Sequence, residues 1–119
     1  MKTILLYEDN SAIVDVTTLM LERMRCKVIH FKDCENILQE IRLHRPALVL
    51  LDLRLPGDGR VAIHRIKHDP STANVPVVIF TAMLNISECV QKLADGILRK
   101  PFELEDLAGV INGLHSVEP

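Results

Sequence analysis

The sequence predicts an α/β protein in which a parallel β-sheet is covered by helices on both faces. Two observations support this fold class. Short continuous runs of Val, Ile and Leu, typical of parallel strands buried on both faces, recur along the chain. Segments with helical apolar spacing separate these runs, so that strand and helix alternate five times. Such alternation indicates a parallel sheet with right-handed crossovers, and 119 residues suit one domain.

The first half of the chain contains three predicted strands and two helices. The strands are the apolar runs Ile4–Tyr7, Val28–Ile29 and Ala47–Leu51. Ser11 is the predicted cap of the first helix, and Pro46 ends the second. The apolar faces of these two helices would consist of Ile13, Val16, Leu19, Met20 and Met24, and of Ile37, Leu38 and Ile41.

The second half continues the alternation with three helices and two strands. A third helix should start near Gly59, and Pro70 and Pro76 interrupt the loop before the fourth strand. The remaining strands are the runs Val77–Phe80 and Ile97–Leu98. Between them the segment Ser87–Leu93 has room only for a short fourth helix. The third and fifth helices would present Ala62, Ile63 and Ile66, and Leu104, Leu107, Ala108, Ile111 and Leu114.

Composition excludes several classes of function. A formal net charge of −2 and an aromatic content of 3% argue against direct nucleic-acid binding, which favours a basic face and stacking platforms. The apolar run near the N-terminus meets Glu8 and Asp9 too soon to be a signal sequence or a membrane span. The three cysteines, Cys26, Cys34 and Cys89, lack metal-ligand spacing. We expect reduced thiols in a cytoplasmic protein.

Polar side chains follow four of the five predicted strands. They are Glu8 and Asp9 after the first, Asp52 after the third, Thr81 after the fourth and Lys100 after the fifth. Because ligands of such sheets bind beyond the carboxyl ends of the strands, these groups should converge. Neighbouring carboxylates repel one another, and Mg²⁺ relieves this repulsion while keeping room for waters and phosphate oxygens.

The convergent set suits phosphoryl transfer, which needs mainly positioning and neutralisation of charge. Asp52 ends an apolar strand and would be a well-oriented nucleophile. Lys100 would bind phosphate oxygens, and Thr81 would donate a hydrogen bond to a transferred phosphoryl group. Each residue alone also has a structural explanation, as a helix cap, a β-residue or a surface charge. Their joint position at the strand ends favours the functional interpretation.

Four segments, Leu5–Asn10, Leu50–Gly57, Val78–Ala82 and Leu98–Phe102, carry a family resemblance. Together they resemble the receiver domain of bacterial two-component response regulators. The resemblance covers essentially the whole chain and implies a single receiver domain over residues 1–119. It also implies a flavodoxin-like three-layer sandwich, with five parallel strands in the order 2-1-3-4-5 and five helices, of which the fourth is short.

By position, the resemblance assigns roles to these residues. Asp52 is the phosphoacceptor, with Thr81 as switch hydroxyl and Lys100 as phosphate-contacting lysine. The Mg²⁺ (or Mn²⁺) site consists of Glu8, Asp9, Asp52 and the backbone carbonyl of Arg54. The bond between Lys100 and Pro101 resembles the family's cis peptide. Such a domain catalyses only its own phosphorylation and dephosphorylation.

The implied phosphodonor is a histidine kinase or a histidine phosphotransfer domain. The implied output is an attached domain or a target protein, with a homodimer through the helix 4–strand 5–helix 5 face as one arrangement. Since the sequence closes on Val117–Pro119 without an effector domain, we expect a stand-alone receiver or a piece of a longer protein. Neither direct nucleic-acid binding nor a membrane is expected.

Three features depart from the family pattern. The loop Leu55–Gly59 is one residue tighter, with Gly57 and Gly59 able to absorb the strain. The stretch between Thr81 and Lys100 is shorter by a few residues, at the expense of the fourth helix. Ile97 stands where the family usually has its switch aromatic, so the aromatic half of the switch should be missing or weakened.

Three alternatives stay open at this point. A degenerate receiver would act as a phosphorylation-independent interaction module, as the short fourth helix and Ile97 suggest. A flavin-binding electron carrier of the same architecture would need an uncharged phosphate loop where Glu8 and Asp9 stand. An aspartate-nucleophile phosphatase would need a second Asp at the position of Arg54.

Overall fold

Five strands and five helices alternate along the chain in a computed structural model, which describes residues 1–83 and 85–117. The strands are β1 Lys2–Tyr7, β2 Cys26–Phe31, β3 Leu48–Leu51, β4 Val77–Thr81 and β5 Gly96–Arg99. The helices are α1 Ser11–Arg23, α2 Ile37–His44, α3 Gly59–His68, α4 Glu88–Leu93 and α5 Leu104–Val117. The strands form one parallel sheet in the order β2-β1-β3-β4-β5, which confirms the predicted fold class.

The strand register brings the carboxyl ends of the central strands to one edge. Tyr7, the last residue of β1, is paired with Leu51, the last residue of β3, and Leu51 is paired with Ile79 of β4. At the outer edge of the sheet, Thr81 of β4 is paired with Arg99 of β5. The residues that follow these strands therefore lie side by side along the same edge of the sheet.

Two apolar clusters cover the two faces of the sheet. On one face, α2 and α3 place Ile41 and Ile63 against strand residues such as Leu51 and Ile79. On the other, α1 and α5 place Leu21, Leu107 and Ile111 against a second set of strand residues. That second set consists of Ile4, Leu6, Leu48, Leu50, Val78, Phe80 and Leu98. The result is the predicted three-layer sandwich.

The first helix differs from its prediction in its cap and in its buried face. The N-cap is Asn10 rather than Ser11, because the Asn10 side chain accepts hydrogen bonds from two backbone amides of the first turn. Val16 and Leu19, predicted on the apolar face, are 51% and 52% exposed. Thr17 and Leu21 are buried instead. The face of α1 that packs on the sheet therefore differs from the apolar face, and it includes Thr17, which the apolar spacing does not predict as buried.

The other elements lie close to their predicted positions. The edge strand β2 spans six residues, although only two were predicted. The prediction was too short because Lys27 and His30 interrupt the hydrophobic pattern of the strand. The fourth helix is short, with six residues and Ser87 as its N-cap. The side chain of Leu114 and the residues Glu118 and Pro119 lie outside what the structure describes. Among the described residues, no helix is both long and apolar enough to cross a membrane.

Candidate functional site

The predicted acidic residues converge where β1 and β3 end. Glu8, Asp9 and Asp52 each offer a carboxylate oxygen, and these three oxygens lie within 4.8 Å of one another. Glu8 and Asp52 are buried, at 1% and 5% exposed, whereas Asp9 is exposed. Three carboxylates at this spacing offer the oxygen ligands that a hard divalent cation prefers, and the exposed Asp9 leaves the cluster open to solvent.

Asp52 is held in one orientation by its neighbours. Its backbone N–H donates to the carbonyl of Tyr7 at 3.1 Å, which continues the sheet by one residue. Carboxylate Oδ1 accepts from the backbone N–H of Arg54 at 3.0 Å, and Oδ2 accepts from the ammonium of Lys100 at 3.1 Å. Since β3 is fully buried, the strand below this carboxylate is rigid. The carboxylate is thus held in a defined position at the end of β3.

Lys100 reaches the acidic residues from the far side of the sheet. Its ammonium donates to Glu8 Oε1 and to Asp52 Oδ2, and its side chain is 13% exposed. The ammonium also lies 4.7 Å from the ring centroid of Phe80, a cation–π distance. One ammonium faces three carboxylates, so the cluster keeps an excess of negative charge for a divalent cation.

Burial raises the pKa of Glu8 above its ordinary value. The Lys100 ammonium acts in the opposite direction and the nearby Asp52 in the same direction as burial, with burial the largest cause. Glu8 Oε2 also accepts from the backbone N–H groups of Asp9 and Asn10 at 3.0 and 3.4 Å. A cation bound here would favour the ionised carboxyl, so the donor set fits a metal.

Thr81 lies where it was predicted, fully buried at the end of β4. Its hydroxyl oxygen accepts from the backbone N–H of Met83 at 3.0 Å. Its carbonyl accepts from the backbone N–H of Lys100 at 2.9 Å. The backbones of Thr81 and Lys100 are therefore joined at the end of the sheet, and Ala82 beside Thr81 is exposed.

The tight loop after Asp52 depends on two glycines, as predicted. Gly57 has a φ of +96°, which disfavours other residues. A Cβ on Gly59 would lie 2.7 Å from the carbonyl oxygen of Asp52 and 2.6 Å from the Cα of Leu53. The predicted cis bond between Lys100 and Pro101 is present as well. The metal-ligand role of the Arg54 carbonyl stays a prediction.

Three residues around the site were not predicted from the sequence. His30 is half-buried, and its Nε2–H donates to the backbone carbonyl of Glu8 at 2.6 Å. The hydroxyl of buried Tyr7 donates to Glu40 at 2.9 Å. Phe80 supports Lys100. Only Phe80 has a sequence signal, as an aromatic residue directly before Thr81.

The arrangement disfavours two of the alternatives. Arg54 occupies the position where an aspartate-nucleophile phosphatase would have its second Asp, and its side chain is exposed. The β1–α1 loop places two carboxylates where a flavin phosphate would need neutral donors. The buried acidic cluster with its lysine matches instead the predicted phosphoacceptor site.

Known proteins with similar sequences also support the resemblance to receiver domains. The chain matches the family model of the response regulator receiver domain over residues 4–112. It is 33% identical over 119 residues to the DNA-binding dual master transcriptional regulator RpaA of Synechocystis, covering 96% of this chain and 49% of RpaA. It is 28% identical to the phosphate regulon regulator PhoB of Escherichia coli, covering 95% and 51%. The chain thus spans about half the length of these curated relatives.

Solved structures extend the comparison. A putative response regulator from Chloroflexus aurantiacus is 27% identical, with a TM-score of 0.88 and coverage of 97% of this chain and 98% of that one. The receiver domain of the sensor histidine kinase PA1611 from Pseudomonas aeruginosa is also 27% identical, with a TM-score of 0.87 and the same coverage. That second structure contains a magnesium ion coordinated in its active-site cleft.

Proposed function

This chain belongs to the response regulator receiver domain family, and we propose that it accepts a phosphoryl group on Asp52 in a reaction that depends on Mg²⁺. The observation that carries this proposal is the cluster of Glu8, Asp9 and Asp52 beside Lys100. We assign the cation to Glu8, Asp9, Asp52 and the backbone carbonyl of Arg54. Mn²⁺, similar in its preference for oxygen ligands, is proposed as a substitute.

The transfer itself is a displacement at phosphorus. A carboxylate oxygen of Asp52 attacks the phosphorus of a phosphohistidine, an O–P bond forms and the N–P bond breaks. The leaving imidazole takes a proton from solvent, and an aspartyl phosphate is the product. The bound cation would neutralise charge on the phosphoryl oxygens.

Lys100 and Thr81 stabilise the charge that develops. Lys100 exchanges its bonds to the carboxylates for a bond to a phosphoryl oxygen. The movement is short because its ammonium already contacts Asp52, where the phosphoryl group would be attached. The Thr81 hydroxyl turns to donate to another phosphoryl oxygen. Phosphorylation then shifts the population between two conformations of the domain. The chain catalyses its own phosphorylation and dephosphorylation and, by this proposal, no other reaction.

The proposed donor is a histidine kinase or a histidine phosphotransfer domain. We treat residues 1–119 as a single cytoplasmic receiver domain that acts on a target protein or an attached output domain. A homodimer through α4, β5 and α5 is the arrangement we propose for the activated form. The net charge of −2 supports a domain that does not itself contact nucleic acid.

Incubation with acetyl phosphate and Mg²⁺, read by intact mass, tests the assignment. We expect the wild type to gain one phosphoryl group and Asp52→Asn to gain none. Asp15→Asn removes an exposed carboxylate of α1 and should behave as the wild type. Equal modification of wild type and Asp52→Asn would refute the site. An unmodified wild type, beside a modified control receiver, would support a degenerate interaction module instead.

A further inference from the structure

Arg99 and Thr81 are connected through one residue of the β4–α4 loop. The guanidinium of Arg99 donates to the backbone carbonyl of Met83 at 2.9 Å. The backbone N–H of Met83 donates to the hydroxyl oxygen of Thr81 at 3.0 Å. Met83 thus links a fully buried hydroxyl to a side chain at the protein surface.

We propose that Arg99 is a positioning residue that holds the Thr81 hydroxyl on the β4–α4 loop while Asp52 is unphosphorylated. The two hydrogen bonds form a latch, by which we mean Arg99, Met83 and Thr81 together. The inference rests on the proposed function, because it concerns the hydroxyl that would bind the aspartyl phosphate.

The sheet explains why Arg99 can act on Thr81. The two residues are paired in the parallel ladder between β4 and β5, so the side chain of Arg99 starts beside the strand end that carries Thr81. Thr81 is the last residue of β4, where the β4–α4 loop begins, and Arg99 is the last residue of β5. The ladder fixes Thr81 and Arg99 relative to each other, whereas Met83, which contacts both of them, lies in the loop.

The side chain that would ordinarily complete the switch is absent here. Ile97 is half-buried and packs against the apolar cluster that includes Ile86 and Val90 of the α4 region. It has no hydroxyl or ring with which to respond to Thr81. Arg99 is two residues further along β5 and therefore projects from the same face of the strand. Through Met83, the guanidinium of Arg99 on this face of β5 is connected by hydrogen bonds to the Thr81 hydroxyl.

The latch must weaken when the phosphoryl group is bound. If the Thr81 hydroxyl turns toward the phosphoryl group, its oxygen moves relative to the Met83 N–H. Either this bond breaks, or the backbone of Met83 follows the hydroxyl and its carbonyl leaves Arg99. In both cases the hydrogen bonds of the latch favour the unphosphorylated conformation. Arg99 is then released at the surface formed by α4, β5 and α5.

Beryllofluoride with Mg²⁺, a mimic of the aspartyl phosphate, provides the test. We would titrate ¹⁵N-labelled wild type, Arg99→Met and Arg99→Lys, and follow the amide of Met83 by NMR. An interaction present in only one of two states shifts their population when it is removed. Arg99→Met should therefore bind the mimic about two- to fivefold more tightly, the effect of one exposed hydrogen bond. Its Met83 amide should already be displaced toward the bound position without the mimic.

Three comparisons separate the latch from a general effect of charge. Arg99→Lys retains a donor and should restore part of the wild-type behaviour. Arg23→Met removes an exposed cation from α1, which is not part of the proposed dimer face, and should leave the affinity unchanged. In a Thr81→Ala background, Arg99→Met should no longer increase the affinity, because the hydroxyl on which the latch acts is gone.

The outcomes distinguish this inference from the proposed function. Wild type that fails to bind the mimic would contradict the phosphoacceptor assignment itself. Wild type that binds while Arg99→Met has equal or weaker affinity would overturn the latch alone. The latch would also be overturned if Arg23→Met reproduced the effect, or if the gain persisted without the Thr81 hydroxyl.

Discussion

Lys100 and Glu8 form an ion pair across 92 residues of sequence, between the ends of two strands that are not neighbours in the sheet. Glu8 follows β1 and Lys100 follows β5, with the ends of β3 and β4 between them. Because Glu8 is buried, this ammonium partly supplies the neutralising charge that a cation would bring. Metal binding, protonation of Glu8 and the position of Lys100 are therefore coupled.

Replacing Glu8 by Gln should stabilise the metal-free protein at neutral pH. The pKa of Glu8 is raised in the folded chain, so the fold favours the protonated carboxyl. That contribution is fully present below the ordinary Glu pKa and is lost as pH rises through the raised folded value. We expect Glu8→Gln to increase the free energy of unfolding at neutral pH and to change it little near about pH 4. Urea denaturation measures both.

Glu22→Gln, which removes an exposed carboxylate from α1, is the control for that experiment. It should leave the free energy of unfolding nearly unchanged at both pH values. Destabilisation of Glu8→Gln at neutral pH would show that the pairing with Lys100 outweighs burial.

Mg²⁺ should stabilise the wild type, and more strongly as pH rises. A ligand that binds only the folded state raises stability in proportion to the logarithm of its concentration over Kd. Because the proton on Glu8 competes with the metal, the affinity should increase as pH rises through the raised pKa of Glu8. Thermal unfolding at several Mg²⁺ concentrations measures this shift. A rise in Tm of equal size in Glu8→Gln would exclude Glu8 from the site.

Removal of the Lys100 charge should destabilise the metal-free chain. Lys100→Met would leave Glu8 and Asp52 buried without their ammonium, at a cost of about 3 kcal/mol. Mg²⁺ should restore a larger part of the lost stability than it adds to the wild type. Lys92→Met on exposed α4 is the matched control, and denaturation with and without Mg²⁺ is the measurement. If both lysine variants unfold alike, the ion pairs contribute nothing to stability.

Tyr7→Phe should cost about 1 kcal/mol, because it removes the hydrogen bond to half-buried Glu40. The ring should keep its stacking on Phe31, whose centroid is 5.0 Å away. Burial already raises the pKa of Glu40, and loss of the Tyr7 hydroxyl should raise it further. The loss of stability should therefore be smaller at acidic pH, where Glu40 is protonated. Denaturation of the wild type and Tyr7→Phe from acidic to neutral pH tests whether the loss of stability grows as pH rises.

The strands and the strand-end residues could be predicted because their signals are local. A continuous apolar run such as that of β3 is typical of a strand covered on both faces, and parallel pairing then determines where Asp52 lies. The buried face of α1 could not be predicted in the same way. Its pattern allows more than one rotation, and contacts with the sheet select Thr17 over Val16.

The contacts of the site were the least predictable part. His30 bonds to the Glu8 carbonyl only because β2 lies beside β1, and nothing in the residues around His30 indicates that partner. The hydrogen bond from Arg99 to Met83 depends likewise on the path of a loop. The Asn10 cap was missed because Asn10 and Ser11 are equally suitable as caps. Sequence patterns determine the elements here, and tertiary packing determines their polar partners.

Gly59→Ala should impair both stability and phosphorylation. The added Cβ would meet backbone atoms of Asp52 and Leu53 at 2.7 and 2.6 Å, and backbone cannot move aside as a flexible side chain can. We expect a loss of about 2–3 kcal/mol and slower modification by acetyl phosphate, since the strain displaces Asp52.

Gly109→Ala is the matched control, because its Cβ meets nothing within 4 Å. In α5 the same change should stabilise the protein by about 0.5–1 kcal/mol and leave the phosphorylation rate unchanged. Urea denaturation and intact mass measure both variants. If they behaved alike, the close approach of Gly59 to Asp52 would have no part in holding the phosphoacceptor.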